Sequence, residues 1–502
     1  MVSAFSGLNT VVRGLMAQQM ALNTVGHNIS NANTDGYSRQ SVGIVTSTPD
    51  TFTGSYGKLQ IGTGVDTQSI TRARDEFMDQ QYWKENTTLG YAQTQGDLMS
   101  QVEGVFSISS DTGMQKVLDN FWSAWQTLGS NASDDSTRNL VLQRGTELVN
   151  TIQQAADQLK DQVDSINTDL QLNVQTVNRI SSDILSLNQK IAMAEVTSPG
   201  SANDLRDRRD LLVDQLSEYV PVQVTEDRSG NYIIQSGSAT LVDGSRTTEL
   251  TTAARTDADY GYPTLAIQAN GIDVEFDGGS LQGLVDMRDD GEFGVKGYLN
   301  NLSTISEFLL RDFNAIHRAG YGEDNVGGRN FFGDMSTAYN ETSFTNPEAW
   351  LEALQVNSAL LNQTTDPSGL QMIAAKTADT QGNASGDNAV KLSQALRMNT
   401  TDLLPTGYTP TLGATASLNS YYSATIGTLG IQSASTTRVV TNQKTLVAQI
   451  ENWRQSTCGV NMDEEMSDMI RFQKGYNAAA RMITTMDELY DKLINSTGVV
   501  GR

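Results

Sequence analysis

A chain of 502 residues is long enough for about three or four domains and needs no disulfide staples to bury a core. Its 34 lysines and arginines stand against 58 aspartates and glutamates, a formal charge of −24, so no nucleic-acid partner and no binding to anionic lipid are expected. A single cysteine, Cys458, excludes an intrachain disulfide framework, and two histidines, His27 and His317, do not make a zinc site or a Ser–His–Asp triad.

No apolar run approaches the ~18 residues of a membrane span, so no membrane insertion is expected. Met1 to Ser6 lacks a basic segment and Arg13 interrupts the apolar stretch behind it, so no cleaved secretory signal is expected either. The first helix is predicted from about Gly7 to Ser30. Leu8, Val11, Leu15, Leu22, Val25 and Ile29 recur at steps of three, four and seven, with Gln18 as the polar interruption. Arg13 is the only charged side chain up to Thr34, which suits a helix whose outer face meets protein.

The string Ser30-Asn-Ala-Asn-Thr-Asp-Gly-Tyr-Ser-Arg-Gln40 then stops the helix, turns at Asp35-Gly36, and passes to alternation at Val42, Ile44 and Thr46. From Thr67 to Leu128 the pattern reads as helical, with Trp83, Trp122 and Trp125 as core candidates. A polar turn at Asn131 to Ser136 caps the next segment. Leu140 to Ala194 carries the longest periodic run, Leu148, Ile152, Ala155, Leu159, Ile166, Leu170, Val177, Ile184, Leu187 and Ile191. A continuous helix there would be roughly 80 Å long, wider than a compact core, so the body should be elongated. Ser198-Pro-Gly-Ser201 ends it.

Val220 to Phe276 changes to short β-like runs separated by Asp-Arg-Ser-Gly-Asn and Asp-Gly-Ser turns. Gly297 to Arg318 returns to helix. Gly320 to Gly413 is rich in Gly, Asn, Thr and Asp, with a helix expected at Pro347 to Leu361, and reads as a loop-rich domain facing outward. Asp379 to Asn388 offers oxygen donors without the 12-residue calcium-loop spacing, as a solvated loop does. Leu418 to Trp453 forms another seam through Tyr422, Leu429, Val439, Leu446, Ile450 and Trp453, with a weak helical stretch at Thr425 to Ser435 where a bend is expected. Asn461 to Ile494 closes the pattern with Met469, Phe472, Tyr476, Ala479, Ile483, Met486, Tyr490 and Leu493. Asn461 is placed to cap it, and Gly498 reads as its stop. No phosphate loop and no dinucleotide fingerprint occurs. Periodicity alone leaves open whether the terminal seams are buried in an ordinary domain or pair with each other and with neighbours.

The segment Ser30 to Gln40, a helix ending in an Asn-rich Ser-Asn-Ala-Asn-Thr stretch before Gly36-Tyr37, resembles the N-terminal signature of bacterial flagellar axial proteins. Its extension Ser38-Arg39-Gln40 is most similar to the hook-associated protein 1 family. Three further blocks resemble that family: Asn203 to Leu216, Gly279 to Asp289, and Gly459-Val-Asn-Met-Asp-Glu-Glu465. The motif positions carried over are Asn31, Asn33, Gly36, Tyr37, Ser38, Arg39 and Gln40.

The resemblance implies a mainly α, elongated, multi-domain flagellar axial protein. Residues 1–66 and 456–502 would form a terminal coiled-coil domain. Residues 67–219, 281–319 and 414–455 would form a helical bundle, 220–280 a small β domain, and 320–413 an outer loop-rich domain whose removal should spare assembly. It implies a secreted, non-enzymatic subunit without cofactors that polymerises at the hook–filament junction of the flagellum. The hook protein and a second junction protein would be its neighbours, an export chaperone would hold the C-terminal helix, and the flagellar export apparatus would carry it. The expected interface residues are Leu8, Val11, Leu15, Leu22, Val25, Ile29, Met469, Phe472, Tyr476, Ile483, Met486, Tyr490 and Leu493. Two other readings are a cytoplasmic coiled-coil scaffold and a cell-wall hydrolase with an acidic cleft in 320–413.

Overall fold

The computed structural model describes residues 6–54, 57–106, 113–196, 200–364 and 366–496. Expectations resting on Met1 to Phe5, Ser198, Pro199 and Gly498 lie outside those residues. The chain begins with α1 (Ser6–Asn31), followed by β1 (Gln40–Thr46), β2 (Asp50–Gly54), β3 (Gly57–Ile61) and β4 (Val65–Arg72). β1 pairs antiparallel with β4, Val42 opposite Ile70, and β2 pairs with β3. Residues 67–72 are therefore strand, not the start of a helix. β-Branched residues at Val65, Thr67, Ile70 and Thr71 favour strand, and β1 supplies the edge they pair with.

The bundle follows as α2 (Glu76–Phe106), α3 (Met114–Ser130), α4 (Asp135–Ala194) and α5 (Asn203–Tyr219). Asp134 caps α4 by accepting from the Ser136 N–H, and the helix then runs 60 residues, about 90 Å. Leu148, Ile152, Leu159, Ile166, Leu170, Val177, Ile184 and Ile191 are all completely buried along it. This helix makes the molecule elongated.

Two small antiparallel sheets lie against α4. One runs β5 (Gln223–Glu226), β6 (Tyr232–Ser236), β7 (Ala239–Asp243), β8 (Arg246–Thr247), and the other joins β9 (Leu250–Thr256), β10 (Pro263–Ala269) and β11 (Ile272–Asp273). Asparagines spaced along α4 dock them. Asn188 donates to Tyr232 O and accepts from its N–H, Asn178 does the same with Leu250, and Asn167 donates to Pro263 O. Each amide satisfies strand backbone that packing against a purely apolar helix would leave unpaired.

The chain returns through α6 (Gly279–Asp289), α7 (Val295–Phe308), a π-helical turn at Leu309–Phe313 and α8 (Asn314–Ala319). Beyond them come α9 (Pro347–Ala353), α10 (Ser358–Leu361) and α11 (Asp387–Arg397). The helix expected at Pro347 to Leu361 is thus broken, and α11 had no counterpart in the sequence reading. More consequential is where this stretch sits. Phe331 and Phe332 are completely buried, in a ring cluster with Phe121 and Trp125 of α3 and with Phe313. Arg138 of α4, also fully buried, donates to Leu370 O and Ile373 O at 3.0 and 3.1 Å.

Residues 320–413 therefore also pack into the core of the bundle, beyond the outward-facing, loop-rich character expected of them. Their irregular backbone is satisfied by side chains instead of by periodic structure. Asn314 holds the Phe331 and Phe332 N–H groups, and Asn357 donates to Asn330 O. The oxygen-rich loop at Asp379 to Asn388 is likewise not merely solvated. The buried Lys376 ammonium is held by Asn325 Oδ1, Gln381 O and Asn383 Oδ1.

Asp312, in the π turn, is fully buried and accepts from the N–H and hydroxyl of Thr411. Burial outweighs those bonds and pushes its carboxyl up to about 6. The unfolded chain thus loses this proton first as pH rises from about 4, and stability falls through the window up to about 6. The shift corresponds to a cost on the order of 2–3 kcal/mol at neutral pH. Asp312→Asn is expected to raise the melting temperature at pH 7 by several degrees more than at pH 4. Equal shifts at both pH values would contradict this.

The last two helices are α12 (Leu418–Cys458) and α13 (Met462–Ser496). A Ser417–Ser420 capping box starts α12, and the helix runs unbroken through Thr425 to Ser435, the stretch where a bend or loosened segment is expected. Tyr422 and Leu429 are buried, and Gln432 accepts from Tyr298, so tertiary contacts override weak propensity. The seam splits, however: Ile450 also points inward, whereas Val439 and Trp453 are exposed.

Candidate assembly interface

α1 and α13 lie side by side, antiparallel. Gly7 stands against Met486, Gln18 against Gly475, and Asn28 against Glu465, so each step up α1 matches a step down α13. A Cβ at Gly475 would come within 2.7 Å of the Gln18 side chain. Gly475, together with the polar Gln18 in the α1 seam, is where the two backbones approach closely. Asn461 caps α13 by accepting the Asp463 N–H at 3.0 Å.

Of the thirteen expected interface residues, Val25 alone is buried. Leu8, Val11, Leu15, Leu22, Ile29, Met469, Phe472, Tyr476, Ile483, Met486 and Tyr490 are half-buried, and Leu493 is 61 % exposed. The most buried stripe of α1 is Ala17, Ala21, Thr24, Val25 and Asn28, turned more than a third of a helix circumference from Leu8, Leu15 and Leu22. It lies on the face where Thr10 and Asn28 touch the β1–β4 ribbon. The sequence reading missed it because small residues carry little hydrophobic signal, although they permit close packing of a helix on a ribbon. Met16 and Met20 on α1, and Met466, Ile470, Met482 and Leu489 on α13, remain exposed. The helix pair thus leaves apolar surface for a further layer.

The motif residues form the joint between this pair and the body. Gly36, at φ +76°, lies against Leu211, where its conformation excludes most other residues. Tyr37 donates to Asn28 Oδ1 at 2.7 Å and meets His27 Nδ1 at 3.0 Å. Burial, with Asp204, Asp207 and Glu465 nearby, pushes its phenol up. Asn28 also takes the Gln40 N–H and donates to Glu465. Arg39 reaches Glu465 at 2.6 Å and Glu464 at 3.1 Å, while its backbone N–H donates to Cys458 O. Ser38 N–H donates to Asp207, and Gln40 to Asp204. Asn31 closes locally on His27 O, while exposed Asn33 borders a cavity of about 670 Å³ lined also by Arg74, Asp214, Glu218 and Arg454.

Behind the motif the charges continue inward. Arg72 bridges Asp207 and Asp210 at 2.8 and 2.6 Å, Arg74 pairs with Asp79, and Arg454 of α12 spans Asp79 and Asp214. Burial works to raise the Asp210 carboxyl, but Arg72 and Arg74 outweigh it and hold it low. Asp79, Asp207 and Asp214 are pushed up by burial, only partly offset by their arginine or backbone partners. Three segments read separately in the sequence, Ser38 to Gln40, Asn203 to Leu216 and Gly459 to Glu465, therefore meet in one polar joint. Periodicity could not reveal it, because paired buried charges are spread over more than 400 positions. This arrangement orients helices and carries no group of metal ligands among the described residues. No described helix is long and apolar enough to cross a membrane.

Residues 99–332 match the flagellar hook-associated protein FlgK helical domain. Residues 8–37 match the flagella basal body rod protein family, and 455–496 the flagellar basal body rod FlgEFG protein C-terminal family. The chain is 33 % identical to flagellar hook-associated protein 1 of Bacillus subtilis across the whole of both chains. It is 26 % identical to the Escherichia coli protein of that name, over 97 % of this chain and 99 % of the other. The structure of the flagellar hook junction protein FlgK from Burkholderia pseudomallei superposes with a TM-score of 0.60 at 17 % identity, over 75 % of this chain and 100 % of that one. With its rod-type ends, its matching helical body and full-length similarity, the chain belongs to the flagellar hook-associated protein 1 family.

Proposed function

We propose that the chain is a structural subunit of the bacterial flagellum that polymerises at the junction of hook and filament and connects the two. The observation that carries this reading is the half-covered seam of α1 and α13, joined to a body through buried ion pairs. Such a pair is stable enough to be positioned and apolar enough to require neighbours. The interface residues are the seam positions Leu8 to Ile29 and Met469 to Leu493. The hook protein and a second junction protein are its axial neighbours, an export chaperone covers α13 beforehand, and the export apparatus delivers the chain outside the cell. The coiled-coil scaffold reading does not account for the joint at Ser38 to Gln40. The hydrolase reading would need converging carboxylates in 320–413, and the described cavity lined by Arg311, Arg318, Tyr339 and Tyr408 does not supply them.

The isolated protein is expected to be a monomer whose ends fray, since a lone helix pair with half its seam uncovered only marginally offsets its ordering entropy. Limited proteolysis should trim α1 and α13 and leave a core that keeps the joint, roughly residues 38–460. In sheared hook–filament preparations the same ends should resist digestion. Full protection of α1 in the monomer, or absence of the protein from those preparations, would overturn the proposal.

A further inference from the structure

The polymerising reading leaves open how the bodies of neighbouring subunits meet, and two unassigned faces answer each other. The first is the outer side of α12. Ile431, Val439 and Trp453 lie in one stripe there, 71 %, 46 % and 52 % exposed. From Leu403 to Ile450 the chain has no carboxylate at all, although it carries 58 elsewhere. Arg438 and Lys444 are exposed on the same helix and form no ion pair among the described residues. A long, acid-free, partly apolar helix face on a protein of charge −24 is not a face shaped for solvent.

The second is the outer side of α4. Asp157, Asp161 and Asp164 are exposed at steps of four and three, on one stripe that ends in Leu172, itself 53 % exposed. The adjacent cation, Lys160, is already engaged by Glu348. The two faces stand at one height. Gln162 of α4 donates to Leu98 O of α2, and Gly96 of α2 lies against Thr436 and Val440 of α12. With α2 between them, the faces look outward on different sides of the body and cannot meet within one chain. Arg438 lies about two turns along α12 from Ile431 and shares its stripe, and Asp157 and Asp164 lie about 10 Å apart along the stripe of α4.

The geometry points to a head-to-tail lateral contact between copies of this chain, the outer face of α12 on one seated against the acidic face of α4 on the next. Such a heterologous contact propagates around a ring or helix, as an axial layer requires. Leu172 would meet the apolar stripe, and Arg438 the aspartates. The inference rests on the polymerising reading and is separable from it by experiment.

Arg438→Cys and Asp161→Cys are combined in the full-length protein, with the buried native Cys458 left in place, and flagella sheared from cells are oxidised. A ladder of dimers, trimers and higher species is expected from the double variant and from neither single one. Protein present in the preparation without a ladder overturns the contact, as do dimers from Arg438→Cys alone, which would mean that α12 meets α12. Protein missing from unmutated preparations sinks the polymerising reading itself. Independently, Arg438→Asp is expected to lower the fraction of cells bearing filaments by roughly fivefold or more, assuming several exposed pairs act together around the ring. Asp161→Arg should restore most of it, and a defect that Asp161→Arg leaves untouched overturns the pairing.

Discussion

Deleting residues 320–413 and bridging Ala319 to Ala414 with a short Gly-Ser linker is expected to yield a chain without cooperative unfolding. Phe331, Phe332, Leu354, Leu360, Ile373 and Leu392 are each fully buried, and the deletion removes them all. It also strips the covering from Phe121, Trp125 and Phe313, and leaves the buried Arg138 guanidinium without Leu370 O and Ile373 O. Unpaired buried donors and a cavity of that size are among the few causes of very large destabilisation. The point variant Phe331→Ala tests the same claim at smaller scale, with an expected loss of about 3–5 kcal/mol. Urea unfolding followed by near-ultraviolet circular dichroism reads both. A deletion chain that melts cooperatively near the parent temperature would restore residues 320–413 to the status of an independent appendage.

Leu22→Asp is expected to abolish incorporation into the axial structure while leaving the isolated chain folded. Leu22 is only half-buried in the single chain, so a carboxylate there keeps access to water. Once a neighbouring subunit covers the seam, the same carboxylate is desolvated without a partner, at a cost on the order of several kcal/mol. Ala21, one position along, is 2 % exposed on the ribbon side. Ala21→Asp should therefore disrupt α1 in the free chain as well. Helix content by far-ultraviolet circular dichroism, set beside motility and the protein content of sheared flagella, separates the two. Motile Leu22→Asp cells would show that the leucine seam is not an assembly surface.

Heptad spacing of apolar residues is a local property, and the sequence by itself therefore determined that both ends are helical, that α4 is long and buried along one line, and that the body is elongated. The half-buried positions of α13 fall where the heptad puts them, from Met469 to Tyr490. What spacing does not contain is which neighbour covers a given face. The tertiary structure decided that α1 turns its small residues toward the ribbon, and that Val439 and Trp453 face outward. It also decided that an irregular, asparagine-rich stretch around Phe331 and Phe332 closes the core of the bundle. Residues there are satisfied through side-chain hydrogen bonds such as those of Asn314 and Asn357, which leave no period to read. The joint is the clearest case. Arg39, Arg72, Asp210, Arg454 and Glu465 look in sequence like ordinary surface charges, and only the fold brings them together. Burial then makes each depend on its partner, because a charge withdrawn from water is stable only where an opposite charge or hydrogen bond replaces the lost solvation.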